Sequence, residues 1–235
     1  MKQKLDELSE WLNHLKDFSL PSWDELPEME LYMDQVMSYL SKKLNPIFDD
    51  NIDKTLTPYM INNYVKANLI DAPVHKKYSK SQLGYLLGIC LIKQILSISD
   101  ILFLYESNEG TAKEKDQLYT FLKRVQDDSI KKESEYVSSR IDIIQKRYND
   151  EIKRAKDDIQ KEKAENFAKE NLSLIALRLS IEAEAKKVIA DHILSIVKNN
   201  NFDVKLKKKE KKIAKKATKT EAKTEAKRIK IVAKK

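Results

Sequence analysis

Two adjacent asparagines and a short basic run are the residues of this chain best suited to touching a ligand. Asn62 and Asn63 lie in Thr57-Pro58-Tyr59-Met60-Ile61-Asn62-Asn63-Tyr64-Val65-Lys66, and His75-Lys76-Lys77-Tyr78 follows after one corner. An asparagine amide offers a donor and an acceptor at the spacing of the N6/N7 edge of adenine, and lysine reaches phosphate or guanine. With Ile61 and Val65 turned inward, Tyr59, Asn62, Asn63 and Lys66 occupy the outer arc of a short helix whose N-terminal end, at Thr57, is free. His75, Lys76 and Lys77, closing on Tyr78, would meet a nucleic-acid backbone or an adjacent minor groove, adding salt-dependent affinity with little base preference. The competing reading is a solvated polar face with solubilising lysines. A basic run directly after the polar face favours contact with double-stranded DNA.

Other reactive types are poorly placed for chemistry. Cys90 falls inside Leu86-Leu87-Gly88-Ile89-Cys90-Leu91-Ile92, the setting of a buried structural thiol, and as a single cysteine it excludes an internal disulfide or a Cys-rich zinc site. His14, His75 and His192 stand far apart with no metal-ligand spacing. Glu182 and Glu184 near His192 read as the solvated face of a helix rather than an acid/base cluster. Three glycines cannot build a Gly-rich phosphate loop, and no nucleophile–base arrangement stands out. The expectation is a protein that is not an enzyme and needs no metal or cofactor. Gly84-x-x-x-Gly88 reads as close helix packing, and Met29, Met33 and Met37 as core.

Charge is distributed unevenly. The chain of 235 residues has a formal charge of +8, yet residues 203–235 alone carry +11, with fourteen Lys and one Arg against Asp203, Glu210, Glu221 and Glu225. The rest is slightly acidic, with −6 in residues 1–56 and a local +4 in residues 57–95. Net charge is therefore weak evidence for specific DNA binding. No secretory signal appears, and the longest apolar run, Leu83 to Ile92, is far short of the roughly 20 residues that cross a bilayer.

The elements that must position the candidate residues are helical. Leu5, Leu8, Leu12 and Leu15, beside Trp11 and Phe18, predict an amphipathic helix over 2–18. Pro21 and Pro27 bracket a break containing Ser22-Trp23-Asp24-Glu25, the form of a helix start. Val36 and Leu40 with the three methionines predict a helix over 28–43, then a polar loop from Pro46 to Lys54. Thr57-Pro58 is an N-cap with Pro at the first helical position. Asn68 can close that helix in the left-handed conformation, with Leu69-Ile70 plugging it into a core. Val74 to Tyr78 is extended in character, and Ser79/Gln82 and Ser97/Asp100 are capping boxes for helices running to about Leu96 and Glu106. Beyond Gly110, Val137, Ile141, Ile144, Tyr148, Ile152, Ala155 and Ile159 form a narrow seam with an 11-residue period. Leu172 to Val197 marks a final helix ending near Asn199-Asn200-Asn201. The two long helices fold back as a hairpin or pair with a second copy; the pattern does not choose. Composition predicts disorder for the Lys-rich tail.

From Leu56 to Glu106 the chain resembles the DNA-binding unit of MerR-type winged helix-turn-helix regulators: a capped recognition helix, an apolar pair, Pro73, a basic wing ending in Lys76-Lys77-Tyr78-Ser79, and Leu96-Ser97-Ile98-Ser99-Asp100-Ile101. Asn62-Asn63 stands where those relatives usually carry Arg-Tyr, and Asn68 where they carry Gly. The longer run from Trp23-Asp24-Glu25-Leu26-Pro27 through Leu31-Tyr32-Met33-Asp34-Gln35 to Ile101 resembles a bacterial family, domain of unknown function 1836. The resemblance implies an all-α fold with a MerR-like winged helix-turn-helix. The expected organisation is an N-terminal helix (1–20), the winged domain (21–109), long helices as a coiled coil or hairpin (110–202) and a disordered basic tail (203–235). With the polar face and basic run, the expectation is a transcriptional regulator of the bacterial cytoplasm or nucleoid that binds duplex DNA, with effector unknown. Because one short recognition helix reads few base pairs, it is expected to dimerise through its C-terminal helices. The alternative is a helical scaffold protein, or a non-specific nucleoid- or RNA-associated protein.

Overall fold

Leucines at helical spacing make the first element, α1 (Lys2–Lys16), and Leu5, Leu12 and Leu15 are its buried face. The computed structural model describes the backbone of residues 1–48, 56–109 and 115–232, and the side chains of 1–48, 56–108 and 116–199. After α1 follow β1 (Leu31–Tyr32), α2 (Met33–Phe48), α3 (Pro58–Lys66), β2 (Lys77–Tyr78), α4 (Lys80–Ile92), α5 (Ile98–Glu109), α6 (Lys115–Arg154) and α7 (Asp158–Val232). The described residues are mostly helical, and their one sheet has two strands, antiparallel, with Leu31 opposite Tyr78 and Tyr32 opposite Lys77. None of their helices is long and apolar enough to cross a membrane.

Two units make up the chain, Met1–Glu182 and Ala183–Lys235. The first has two hydrophobic cores. One gathers Leu20, Leu26, the buried face of α2, Ile61, Tyr64, Leu69, Ile70, Tyr78, most of α4, Ile101, Tyr105 and Tyr119. At its centre is α4, apolar all round, with Leu83, Leu86, Leu87, Ile89 and Cys90 fully buried, as befits a helix covered on every side. Its glycines allow that covering. A Cβ on Gly88 would stand 2.7 Å from the Tyr105 hydroxyl and 2.8 Å from Leu122, and one on Gly84 3.0 Å from Trp23. Gly84-x-x-x-Gly88 is thus a close-packing device.

The second core is a three-helix arrangement of α1, α6 and α7. Leu5 and Leu12 meet Val137, Ile141, Ile144 and Tyr148 of α6 and Ala164 and Ala168 of α7. Arg147 stacks 3.8 Å from the Phe167 ring centroid, and Gln145 donates to Asp6 and Ser9, both at 3.2 Å. The seam thus finds its partners within this chain, through a hairpin that turns at Ala155–Asp157. Asp157 accepts from the Gln160 amide at 2.8 Å and so caps α7. Ile159, taken as part of the seam, lies just past the turn and is 66% exposed.

Several boundaries differ from expectation. Residues 28–30 are not helical, and Leu31–Tyr32 is a strand; the helix begins at Met33 and continues through Pro46 to Phe48, held by fully buried Leu44. Ser22 to Glu25 is a turn, its amide at Ser22 donating to Glu25 at 2.6 Å. Met29 is 76% exposed rather than core. Residues 49–54 of the expected loop lie outside the described residues. In the second unit the backbone stays helical past Asn199–Asn201 to Val232, where composition predicts disorder. Ala, Lys and Glu are strong helix formers, and no Pro or Gly interrupts this run.

Candidate nucleic-acid interface

The local signals around α3 act as their chemistry requires. Thr57 has extended backbone geometry and its Oγ1 accepts from the Met60 amide at 3.2 Å, while Pro58 occupies the first turn where no donor is needed. Thr57 is therefore a cap. At the other end Leu69 N donates to Tyr64 O at 2.9 Å and Asn68 N to Val65 O at 3.0 Å, with Asn68 at φ 57°. This is a Schellman closure with asparagine in the left-handed position. It turns the chain so that Leu69 and Ile70 enter the core and α3 keeps Tyr59, Asn62 and Lys66 exposed, with Asn63 half-buried. Tyr59 is 72% exposed.

The basic run is a hairpin rather than a simple extended segment. Lys77 N donates to Val74 O at 2.9 Å, and His75 and Lys76 both have positive φ, 50° and 65°. Positive φ at both central residues is the signature of a type I′ turn, usually filled by Asn-Gly. Histidine and lysine there carry a strain of about 1 kcal/mol or more each. Both are exposed at the tip. The strand that follows places alternate side chains on opposite faces: Tyr78 is 2% exposed and packs inward beside Leu31, while Lys77 lies outward, its Nζ 5.1 Å from the Tyr32 ring centroid. Tyr78 was expected at the interface and is core; burial raises its phenol pKa.

Packing also sorts the lysines of the +4 patch. Lys66 and Lys76 are exposed and Lys77 half-buried. Lys80 pairs with Glu28 and lies 5.6 Å from the Trp23 ring. Lys93 is turned inward, donating to Met60 Sδ at 3.9 Å, and desolvation lowers its pKa. The charge offered to a polyanion therefore comes from Lys66, Lys76 and Lys77. Helix α3 and the turn ride on one core, since Ile61, Tyr64, Leu69, Ile70 and Tyr78 belong to the same cluster. Gln82 reinforces the corner: its Oε1 accepts from Ser79 N at 2.7 Å and its Nε2 donates to Asp71 O at 2.8 Å.

Tyr32 is the contact candidate missing from the sequence reading. It is 48% exposed and supports Lys77. Read as part of a helix over 28–43, it had no reason to stand beside residue 77. No cluster of three or more metal-binding side chains occurs among the described residues. The Cys90 thiol is fully buried, and desolvation pushes its pKa up to about 11. Glu182 accepts from Arg178 Nε at 2.7 Å.

No curated protein and no solved structure matches the chain. Residues 21–125, which contain α3, the 74–77 turn and the core beneath them, match the model of the family described as Domain of unknown function (DUF1836), and this supports placing that part of the chain in the DUF1836 family.

Proposed function

We propose that residues 21–125 form a MerR-like winged helix-turn-helix unit that binds duplex DNA, and that the protein is a transcriptional regulator with a binding rather than a catalytic role. The observation that carries this reading is the turn at 74–77. Two consecutive non-glycine residues are kept at positive φ, and both are cationic or titratable, exposed, and fixed to the core that carries α3. Backbone strain retained at an exposed basic tip fits a contact that rewards it. Asn62 is the residue for base readout, with Asn63 beside it, while Lys66, Lys76 and Lys77 hold phosphates. Three such contacts give a slope of about −3 in log affinity against log salt. The +11 tail adds non-specific affinity and steepens that slope.

A short recognition helix reads few base pairs, so a regulator of this kind works as a dimer on paired half-sites. In Ala183–Lys235, Ile189, Ile193 and Ile196 lie on one helical face flanked by Val188 and Val197, and all five are more than 40% exposed. A second copy of the chain is the partner proposed for that face.

The test is selection of bound duplexes from a random-sequence pool by the full-length chain, followed by gel-shift titration of the winners. The Lys76→Glu/Lys77→Glu variant is expected to lose retention at moderate salt. Asn62→Ala is expected to relax the base preference with a smaller loss of affinity. Binding unchanged in the double lysine variant would overturn the assignment of the turn.

A further inference from the structure

We propose that the groove between α1, α6 and α7 in the unit Met1–Glu182 is a binding site for a neutral, apolar small molecule of two to three rings. Leu12 of α1, Val137 and Ile141 of α6, and Ile175 and Leu179 of α7 line its walls, and Trp11, 45% exposed, stands at its edge. The space measures about 310 Å³. An apolar cavity of ~150 Å³ takes up one benzene ring, so this one suits a body about twice that size.

The chemistry of the lining selects a neutral occupant. Its polar side chains are Ser134 and Glu133. Ser134 is 2% exposed, and its hydroxyl already donates to Ile130 O at 2.7 Å. Glu133 interacts electrostatically with Arg178, whose pKa is raised first by its hydrogen bond to Glu182 and to a lesser extent by Glu133. An anionic ligand would leave water for walls that hold no cation, and a cationic one would compete with Arg178 for Glu133. A neutral ring system gives up no charge and buries most of its surface against the apolar walls.

A macromolecular partner fits less well. Thirteen residues line the groove, whereas a stable protein interface takes roughly 20–30 residues on each side. The site is also concave, walled by three helices, and this is the shape in which small ligands bury most of their surface.

The probe is N-phenyl-1-naphthylamine, a neutral fluorophore of three rings, titrated into the full-length chain. Saturable binding at one molecule per chain is expected, with affinity falling at least tenfold in Ile175→Trp, which fills the groove. The second measurement needs no filling mutation. Sensitised probe emission on tryptophan excitation should fall strongly in Trp11→Phe and little in Trp23→Phe, because Trp11 lines the groove and Trp23 packs in the other core. If Ile175→Trp does not fold, this comparison decides. Non-saturating uptake, unchanged affinity in folded Ile175→Trp, or transfer that follows Trp23 would each overturn the site. Capture of the probe by the exposed isoleucines of residues 189–196 would produce such results.

Discussion

The α3–turn region and the three-helix arrangement of α1, α6 and α7 are stabilised in opposite ways. Around α3 each short element is fixed by a specific local device: the Thr57 cap, left-handed Asn68, the Ser79–Gln82 capping box and the strained His75–Lys76 turn. Among α1, α6 and α7 no such device is needed along the helices. Forty residues of α6 run without interruption, and specificity comes from a narrow row of side chains meeting two partner helices. A contact surface needs fixed geometry over a few residues, which caps and turns supply. A long helical body needs only continuity and one apolar stripe.

Removing packing from the three-helix core should break the comparison most strongly. Ile141 is 1% exposed, and Ile141→Ala is expected to cost about 2–5 kcal/mol, read from urea denaturation of the full-length chain. Its effect on DNA retention under folded conditions should be small. An equal loss of both would mean that the two regions are not separable in function.

Next comes alkaline titration of the other core. The Cys90 thiol has its pKa raised by burial from 9.0 to about 11 in the folded chain. The stability gained from keeping it protonated is complete below pH 9 and is lost as pH rises towards 11, by up to about 3 kcal/mol. Burial raises the Tyr105 pKa as well, so its contribution falls in the same direction at still higher pH. Denaturation curves at pH 8.5 and 10.5 should converge for Cys90→Ala more than for the parent chain. Identical losses in the two proteins would assign the alkaline effect elsewhere.

Gly88→Ala is expected to cost about 1–3 kcal/mol, because its Cβ would collide with Tyr105 and Leu122. Thermal melting followed by the near-ultraviolet tyrosine signal checks it, and an unchanged midpoint would mean that α5 and α6 can shift without penalty.

The smallest effect is the most informative about the turn. Lys76→Gly removes left-handed strain and should raise stability by about 0.5–1 kcal/mol while weakening DNA binding. A variant that loses both stability and binding would deny the turn its proposed role as strained contact.

Much of the candidate contact region was legible because its determinants are short in sequence. Thr57-Pro58, Asn68, Ser79/Gln82 and Ser97/Asp100 act through hydrogen bonds to residues three or four positions away, and the structure shows each doing so. The outward face of α3 followed from Ile61 turning inward. Tyr78 was misread for want of a register: only its pairing with Leu31 turns it into the core. The same pairing brings Tyr32 beside Lys77, and nothing near either residue announces it.

By itself the sequence determined that the chain is mostly helical, where the short helices of the 57–109 region start, and that Tyr59, Asn62 and Lys66 face outward on α3. These depend on local hydrogen bonds and on the 3.6-residue period. Tertiary structure alone decided that the α6 seam packs on α1 and α7 of the same chain, that Gly88 is a point of contact, and that the Tyr119 hydroxyl reaches Pro21 O, 98 residues away, at 2.7 Å. An apolar stripe is complementary to many partners. Loop closure and shape fit select among them, and neither is written at any single position.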